Sequence, residues 1–224
     1  MLKSALFAIS LASAASAATV LGFGAEVDYY SPTVSGDFSY TESTITTSTH
    51  FSDDTQESYQ LGVYLEHPIP VLPNIRIDYT PETTFSGTDS VVGTNKVSFK
   101  QLDGTLYYEL LDNVVDLDVG VTFKSLEGKV EGLVNQDFNV VLPMLYVGTG
   151  IKIPALPIQV FGDVKYVAYS GDSVVDARAK AIWTIFAGLQ AQAGLRYESI
   201  KIDTQDIKAD VGFKGPFVGL GYTF

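Results

Sequence analysis

From Leu21 to the terminal Phe224, large apolar residues recur at every second position in one stretch after another. In the last stretch, "GPFVGLGYTF", Val218, Leu220, Tyr222 and Phe224 fall on one parity and Gly219, Gly221 and Thr223 on the other. A period of two is the repeat of a β-strand whose two faces meet different surroundings. The pattern predicts ten strands, within "LGFGAEVDYY", "SYQLGVYLEH", "NIRIDYT", "LDGTLYYELL", "VVDLDVGVTFK", "LYVGTGIKI", "PIQVFGDVKYVAY", "VVDARAKAIWTI", "LQAQAGLRYE" and the C-terminal stretch. Charged residues two apart must share a face, and they do so at Glu26/Asp28, Arg76/Asp78, Asp116/Asp118, Asp163/Lys165, Asp176/Arg178/Lys180 and Arg196/Glu198.

A strand that ends on a bulky aromatic and carries an oily face is an aggregation hazard in water. In lipid it is stable if the sheet closes on itself and satisfies every backbone donor and acceptor. The expected fold is therefore all-β: a closed antiparallel transmembrane β-barrel of about ten strands. Eight strands is the alternative, because the segment from Glu127 to Val141 is ambiguous. Phe224 and Tyr222 would then sit in an aromatic girdle at the inner membrane boundary.

The rest of the chain agrees with that destination. "MLKSALFAISLASAASAATV" has a basic Lys3, a short apolar run and an Ala15-Ser16-Ala17 cleavage signature, so residues 1–17 read as a secretory signal peptide and 18–224 as the barrel. Cysteine is absent, which removes thiolate catalysis, cysteine-based zinc sites and lipid attachment through an N-terminal cysteine. The formal charge of −12 argues against nucleic-acid binding, which needs basic patches. Hydrophobic content reaches 46%, yet it is dispersed rather than gathered into a helical membrane span.

Connections alternate in kind. "HPIPVLPN", "LLDN", "IPALP" and "AGLQ" read as tight periplasmic turns, whereas "SPTVSGDFSYTESTITTSTHFSDDTQE", "SGTDSVVGTN" and the region around "EGLVNQD" read as longer external loops. Lys208, Asp210 and Lys214 share the parity of the lipid-facing C-terminal residues, and Pro216 lacks a ladder donor, so a face-switching bulge is expected at Gly215-Pro216. A similar parity change is expected between Glu198 and Ile200.

Four segments, "EHPIPVLPNIRIDYT", "LDGTLYYELLDNVVDLDVGVTFKSLEGKV", "LPMLYVG" and "FKGPFVGLGYTF", resemble a family of Gram-negative outer-membrane β-barrel proteins with no assigned activity. The likeness spans the chain after the signal peptide. Tyr29 and Tyr30 stand where that family usually has an aromatic, often tryptophan, near the end of its first strand. The resemblance implies a bacterial outer-membrane location and supplies no catalytic residues.

No G-x-S-x-G, H-E-x-x-H or P-loop motif appears. His67, beside Pro68, reads as a turn residue, and His50, near Asp53 and Asp54, as a solvated loop histidine. The acids of "SDDTQE" and "DTQD" lack the periodicity of a calcium loop. No enzymatic activity, cofactor or metal site is expected. The informative constellation is the inward charge: acids Glu26, Asp28, Glu66, Asp78, Asp103, Glu109, Asp116, Asp118, Asp163, Asp176 and Glu198 with bases Arg76, Lys124, Lys152, Lys165, Arg178, Lys180 and Arg196. These either pair and plug a narrow barrel or line a narrow hydrated path for small polar solutes. Glycines on the same face, such as Gly148, Gly150, Gly219 and Gly221, leave room beside long side chains or permit tight curvature.

The leading expectation is a monomeric structural or surface barrel, with solute passage as a variant. Its partners would be outer-membrane lipid and the machinery that assembles outer-membrane barrels. A hydrolase or acyltransferase with a rim site at His50, and a secreted lipocalin-like barrel with an apolar lumen and a charged exterior, are the alternatives.

Overall fold

In the computed structural model, residues 21–42, 45–89, 93–131, 136–204 and 207–224 are described. The segment read as a signal peptide lies outside them. Among the described residues twelve antiparallel strands follow one another: β1 (Gly22–Tyr30), β2 (Thr33–Glu42), β3 (Ile45–Thr55), β4 (Ser58–Glu66), β5 (Asn74–Asp89), β6 (Gly93–Asp112), β7 (Val115–Glu131), β8 (Gln136–Lys152), β9 (Ile158–Tyr169), β10 (Asp172–Phe186), β11 (Leu189–Asp203) and β12 (Ile207–Thr223).

The barrel has ten strands around its circumference. β1 pairs with β12 on one side and β4 on the other, while β4 to β12 complete the ring. β2 continues the course of β1 along β12, and β3 leads into β4, so the β2–β3 hairpin lengthens two walls. Closure joins the chain ends: the Phe224 amide donates to the Phe23 carbonyl at 2.8 Å, and the Phe23 and Phe224 rings lie 5.6 Å apart. No edge remains where β1 and β12 meet.

The 27 residues read as the first external loop are therefore mostly strand. Their abundant serines and threonines stand opposite one another on β2 and β3, with hydroxyl bonds at Ser39–Ser48 (3.1 Å), Thr41–Thr46 (3.0 Å) and Thr33–Thr55 (2.7 Å). Cross-strand hydroxyl pairs stabilise a sheet face that water can reach. Much of the "SGTDSVVGTN" stretch is likewise absorbed into β5 and β6. The tight inner turns stand as read, and His67 organises the first of them. Its Nδ1 accepts from the Ile69 amide (3.2 Å) and its Nε2 faces the Pro73 carbonyl (3.1 Å), which fixes the proton on Nε2.

The expected bulge at Gly215-Pro216 is absent. β12 keeps one register against β11 from Leu189↔Tyr222 to Asp203↔Lys208, and its register against β1 carries over unchanged to β2. Proline is tolerated because of what faces it. The Ser31 amide donates to the Pro216 carbonyl at 3.1 Å, and the return donor that proline lacks would point at Ser31, in the two-residue break between β1 and β2. Gly215 is needed at this crossing, since a Cβ would lie 2.0 Å from the Ser31 carbonyl oxygen. Register shifts occur elsewhere, near Asp53 on β3, Pro81 on β5, Leu110 on β6 and Ile185 on β10.

Faces do not switch along β12; the chemistry of each face does. Even residues look outward from Lys208 through Tyr222, and odd residues look inward from Ala209 through Phe217. The same holds on β11, where Glu198, Ile200 and Ile202 all point in. A tilted membrane strand needs about 9–11 residues. β6 has 20 and β12 has 17, so the outer part of each projects beyond the hydrocarbon. Below the border the outside is apolar, with Leu145 66% and Leu195 65% exposed, and the inside is charged. Above it the outside carries ion pairs such as Lys100–Glu127, Lys129–Glu131 and Lys201–Asp210, and the inside is a cluster of Val34, Phe51, Phe85, Val97, Val130, Ala209, Val211 and Phe213. The hydrogen bond between Lys129 and Glu131 raises the lysine pKa and lowers that of the glutamate.

Aromatic side chains border the apolar band. Phe23, Tyr108, Trp183, Tyr222 and Phe224 lie toward the tight turns. Tyr29, Tyr59, Tyr166 and Tyr197 are followed outward on the same face by Ser31, Glu57, Ala168 and Ser199. Gly215→Ala should destabilise the barrel by more than the ~1–3 kcal/mol typical of an overpacked site, because the obstruction is backbone. Gly104→Ala, where a Cβ meets nothing within 4 Å, should be close to neutral. Denaturant midpoints of the two refolded variants check this.

Candidate functional site

Period two brings the charged parity of each membrane strand to the barrel axis. Arg76 and Asp78 arrive from β5, Asp103 from β6, Lys124 from β7, Asp163 and Lys165 from β9, Asp176, Arg178 and Lys180 from β10, and Arg196 and Glu198 from β11. Glu26 and Asp28 come from β1. The side chains are long enough to meet across the lumen, so pairs between adjacent strands, such as Arg178–Asp163, are joined by pairs between distant ones, such as Lys124–Asp176 and Lys180–Glu26.

Lys124 lies at the centre, with 0% side-chain exposure. Its ammonium is 2.9 Å from Asp176, 3.2 Å from Glu198 and 3.3 Å from Asp103, and it donates to the Gln101 Oε1 at 3.1 Å. Arg196 grips Asp176 through Nε (3.0 Å) and Nη2 (2.7 Å), and its Nη2 also reaches Gln101 Oε1 at 2.8 Å. Gln101 donates in turn to Glu198 Oε2 at 2.8 Å. Lys165 joins Asp103 at 2.5 Å and Asp78 at 3.3 Å. Asp78 is shared with Arg76 (2.8 Å) and Arg178 (3.4 Å), and Arg178 also holds Asp163 at 3.1 Å. Arg76 and Lys180 clamp Glu26 at 2.9 and 2.7 Å, and Lys180 donates to Gln192, which donates to Asp28 at 2.7 Å.

Six cations (Arg76, Lys124, Lys165, Arg178, Lys180, Arg196) thus meet seven carboxylates (Glu26, Asp28, Asp78, Asp103, Asp163, Asp176, Glu198) in one connected layer. Charges withdrawn from water are tolerable only when paired and hydrogen-bonded. A cavity of about 10 Å³ beside Gln60 and Lys165 is the void described within this layer. That volume is about one water probe.

Glu66, Glu109, Asp116, Asp118 and Lys152 lie nearer the tight turns, around a vestibule of about 290 Å³. Tyr107 donates to Glu66 at 3.0 Å, Gln159 to Asp116 at 2.6 Å, and Lys152 bridges Asp112 (2.9 Å) and Asp116 (3.1 Å). Carboxylates outnumber cations on this wall, so the mouth carries an excess of negative charge. Asp112 escapes a reading by parity because the irregularity at Leu110 shifts the strand by one residue. Gln101 escapes it because the alternation is recognisable only from Leu102 onward; extending the parity of Asp103 by one step would have found it.

His50 lies on the outer wall. Its Nδ1 is 2.8 Å from Asp37 Oδ1, but the side chains are 59% and 74% exposed. The pair has the hydrogen bond that a rim site would require and no enclosure around it. Asp53 pairs loosely with Lys214 at 3.9 Å, and Asp54 accepts from the Ser86 amide at 2.8 Å, stitching β3 to β5 where their ladder is reduced to His50↔Thr88. Among the described residues no group of acids and histidines could hold a metal ion.

A closed antiparallel barrel with an apolar band, aromatic borders and a charged interior is a transmembrane β-barrel of the outer-membrane type. A secreted lipocalin-like barrel would carry the opposite polarity throughout, and only the outer part does so. No protein-family model matches the sequence, and no curated protein matches it. Solved structures are similar in fold. Neisserial surface protein A shares 12% identity over 91% of this chain and 97% of its own, with a TM-score of 0.40. The transport unit of the autotransporter AIDA-I from Escherichia coli shares 11% over 98% and 94%, with a TM-score of 0.45. Ail of Yersinia pestis shares 11% over 90% and 99%, with a TM-score of 0.38.

Removing one partner of a buried ion pair typically costs 3–5 kcal/mol. Lys124→Met, which takes a buried cation from Asp103, Asp176 and Glu198 at once, should fall in that range, and Lys100→Met, at an exposed pair, should shift stability by less than about 1 kcal/mol. Urea unfolding in lipid vesicles, followed by the heat-dependent change in electrophoretic mobility, separates the two.

Proposed function

We propose that this chain is a monomeric, non-enzymatic barrel of a bacterial outer membrane, structural or surface-facing in role, with a lumen that is shut at rest. The observation that carries this reading is the layer around Lys124, where cations and carboxylates from seven strands meet across the axis, with a void of about 10 Å³ beside Lys165. Its partners would be the lipid that its apolar band meets and the assembly machinery that receives the strand ending at Phe224. The segments that resemble the outer-membrane family of unassigned activity contribute both to this band and to the β1–β12 seam. Passage of small polar solutes would require the ion pairs to part. The acidic vestibule would then favour cations.

Planar-bilayer recordings test the proposal. The native protein should give no sustained channel events at moderate voltage. The double variant Lys124→Ala/Arg196→Ala, which removes two long side chains and leaves Asp103, Asp176 and Glu198, should conduct, with cations preferred over anions. Steady conductance by the native protein would remove the closed-barrel reading.

A further inference from the structure

Above the charged layer lies a second cavity of about 290 Å³, matching the inner vestibule in size and opposite to it in chemistry. Phenylalanines dominate its wall: Phe38, Phe51, Phe85, Phe99, Phe138 and Phe213, each from a different strand. Aliphatic side chains fill the intervals. The polar groups among the lining residues are Asn139 and Thr204, and none is charged. Thr204 belongs to the turn after β11, so the cavity reaches the outer end of the barrel. Beneath it, Phe85, Phe99 and Phe213 also border a void of about 20 Å³ that reaches the Arg196–Glu198–Gln101 knot, whose charges are already paired.

The projecting part of the barrel needs an apolar interior to hold its strands together, but it does not need a void. Cores pack at crystal density and contain few voids larger than a water molecule. An apolar cavity of roughly 150 Å³ stays dry and takes up benzene; this one is about twice that size. Water gains no hydrogen-bond partners from a phenylalanine wall, and an ion would find neither a counter-charge nor a polar ligand there.

We propose that the outer chamber is a binding site for a neutral small hydrocarbon, of the bulk of two fused aromatic rings or a medium-length alkyl chain. The occupant is a free solute entering from the outside rather than a chain of a membrane lipid, because the chamber lies above the apolar band and opens away from it. The inference is independent of whether the charged layer conducts.

The test uses the full chain in lipid nanodiscs and radiolabelled naphthalene, with empty nanodiscs as the partition baseline. One saturable site per protein is expected above linear uptake by lipid. Ala209→Phe, facing Phe38 across the β2–β12 ladder, fills the chamber and should reduce saturable binding at least tenfold. Ala209→Leu fills it partly, should bind with intermediate affinity, and serves if the larger residue prevents folding. Leu195→Phe, on the lipid face, should bind as the native protein does. Naphthalene-1-sulfonate should not displace the bound compound. Absence of a saturable component, indifference to both Ala209 variants, displacement by the sulfonate, or saturable uptake of a labelled phospholipid chain in place of naphthalene would each overturn the proposal.

Discussion

The ammonium of Lys124, sealed from water at the middle of the barrel, has to be compensated where it stands. Three carboxylates and one amide oxygen do this: Asp103 and Gln101 come from the neighbouring strand β6, and Asp176 and Glu198 reach across the lumen from β10 and β11. Backbone pairing alone would hold any strands of matching length in a ring. The interlocked charges make one arrangement of inward residues acceptable, since a one-residue slip of any strand would turn its charges toward hydrocarbon. Net stability from such pairs is small compared with the penalty for leaving one member alone. Their contribution is to register.

The same constraint explains the size of the lumen. Glycines on the inward parity let long side chains lie flat against the wall. A Cβ at Gly219 would come within 2.1 Å of Asp28 Oδ1 and of the Val27 carbonyl, and one at Gly24 would collide with the Tyr64 ring at 2.2 Å. Small residues on one strand are therefore the counterpart of large polar ones on the next. Room left by glycine is taken up by arginine, lysine and tyrosine, and the middle of the barrel ends up filled.

Much of this was legible from parity. Charges two apart predict a shared face, and the side chains of Asp176, Arg178 and Lys180 do lie together inside the barrel. The turns "IPALP" and "AGLQ" announce themselves by composition, and the terminal aromatic of β12 calls for a partner strand. Parity also misled. Lys208, Asp210 and Lys214 share a parity with Val218 and Leu220 that one membrane face could not hold, and parity alone therefore predicts a bulge between them. The structure keeps them on one face and separates them by height. Sequence alternation reports inside against outside; it does not report lipid against water. Where a strand outruns the membrane, both faces change solvent together. The Ser/Thr-rich stretch from Ser31 to Glu57 lacks a legible strand pattern for the same reason, since its outward face is hydroxylic and its inward apolar residues, Val34, Phe38 and Phe51, are widely spaced. Which cations would meet which acids was beyond sequence, because those pairs join residues as far apart as Glu26 and Lys180.

The reversal of polarity divides the axis into three zones: an acidic vestibule, a layer of paired charges and an apolar chamber. Each zone rejects what its neighbour accepts. An ion drawn to Glu66 and Asp118 would next meet cations already committed to carboxylates and then a phenylalanine-lined space that it can cross only if water follows it through an opened charged layer. A hydrocarbon resting against Phe99 and Phe213 would have to cross Arg196 and Glu198 to go further, displacing hydrogen bonds that it cannot replace. The barrier to either species is thus chemical as well as steric, and widening the lumen by removing one side chain would not equalise the zones. Any through-passage requires a solute that is acceptable to both ends, or a rearrangement in which Lys124 and Arg196 exchange their carboxylate partners for water.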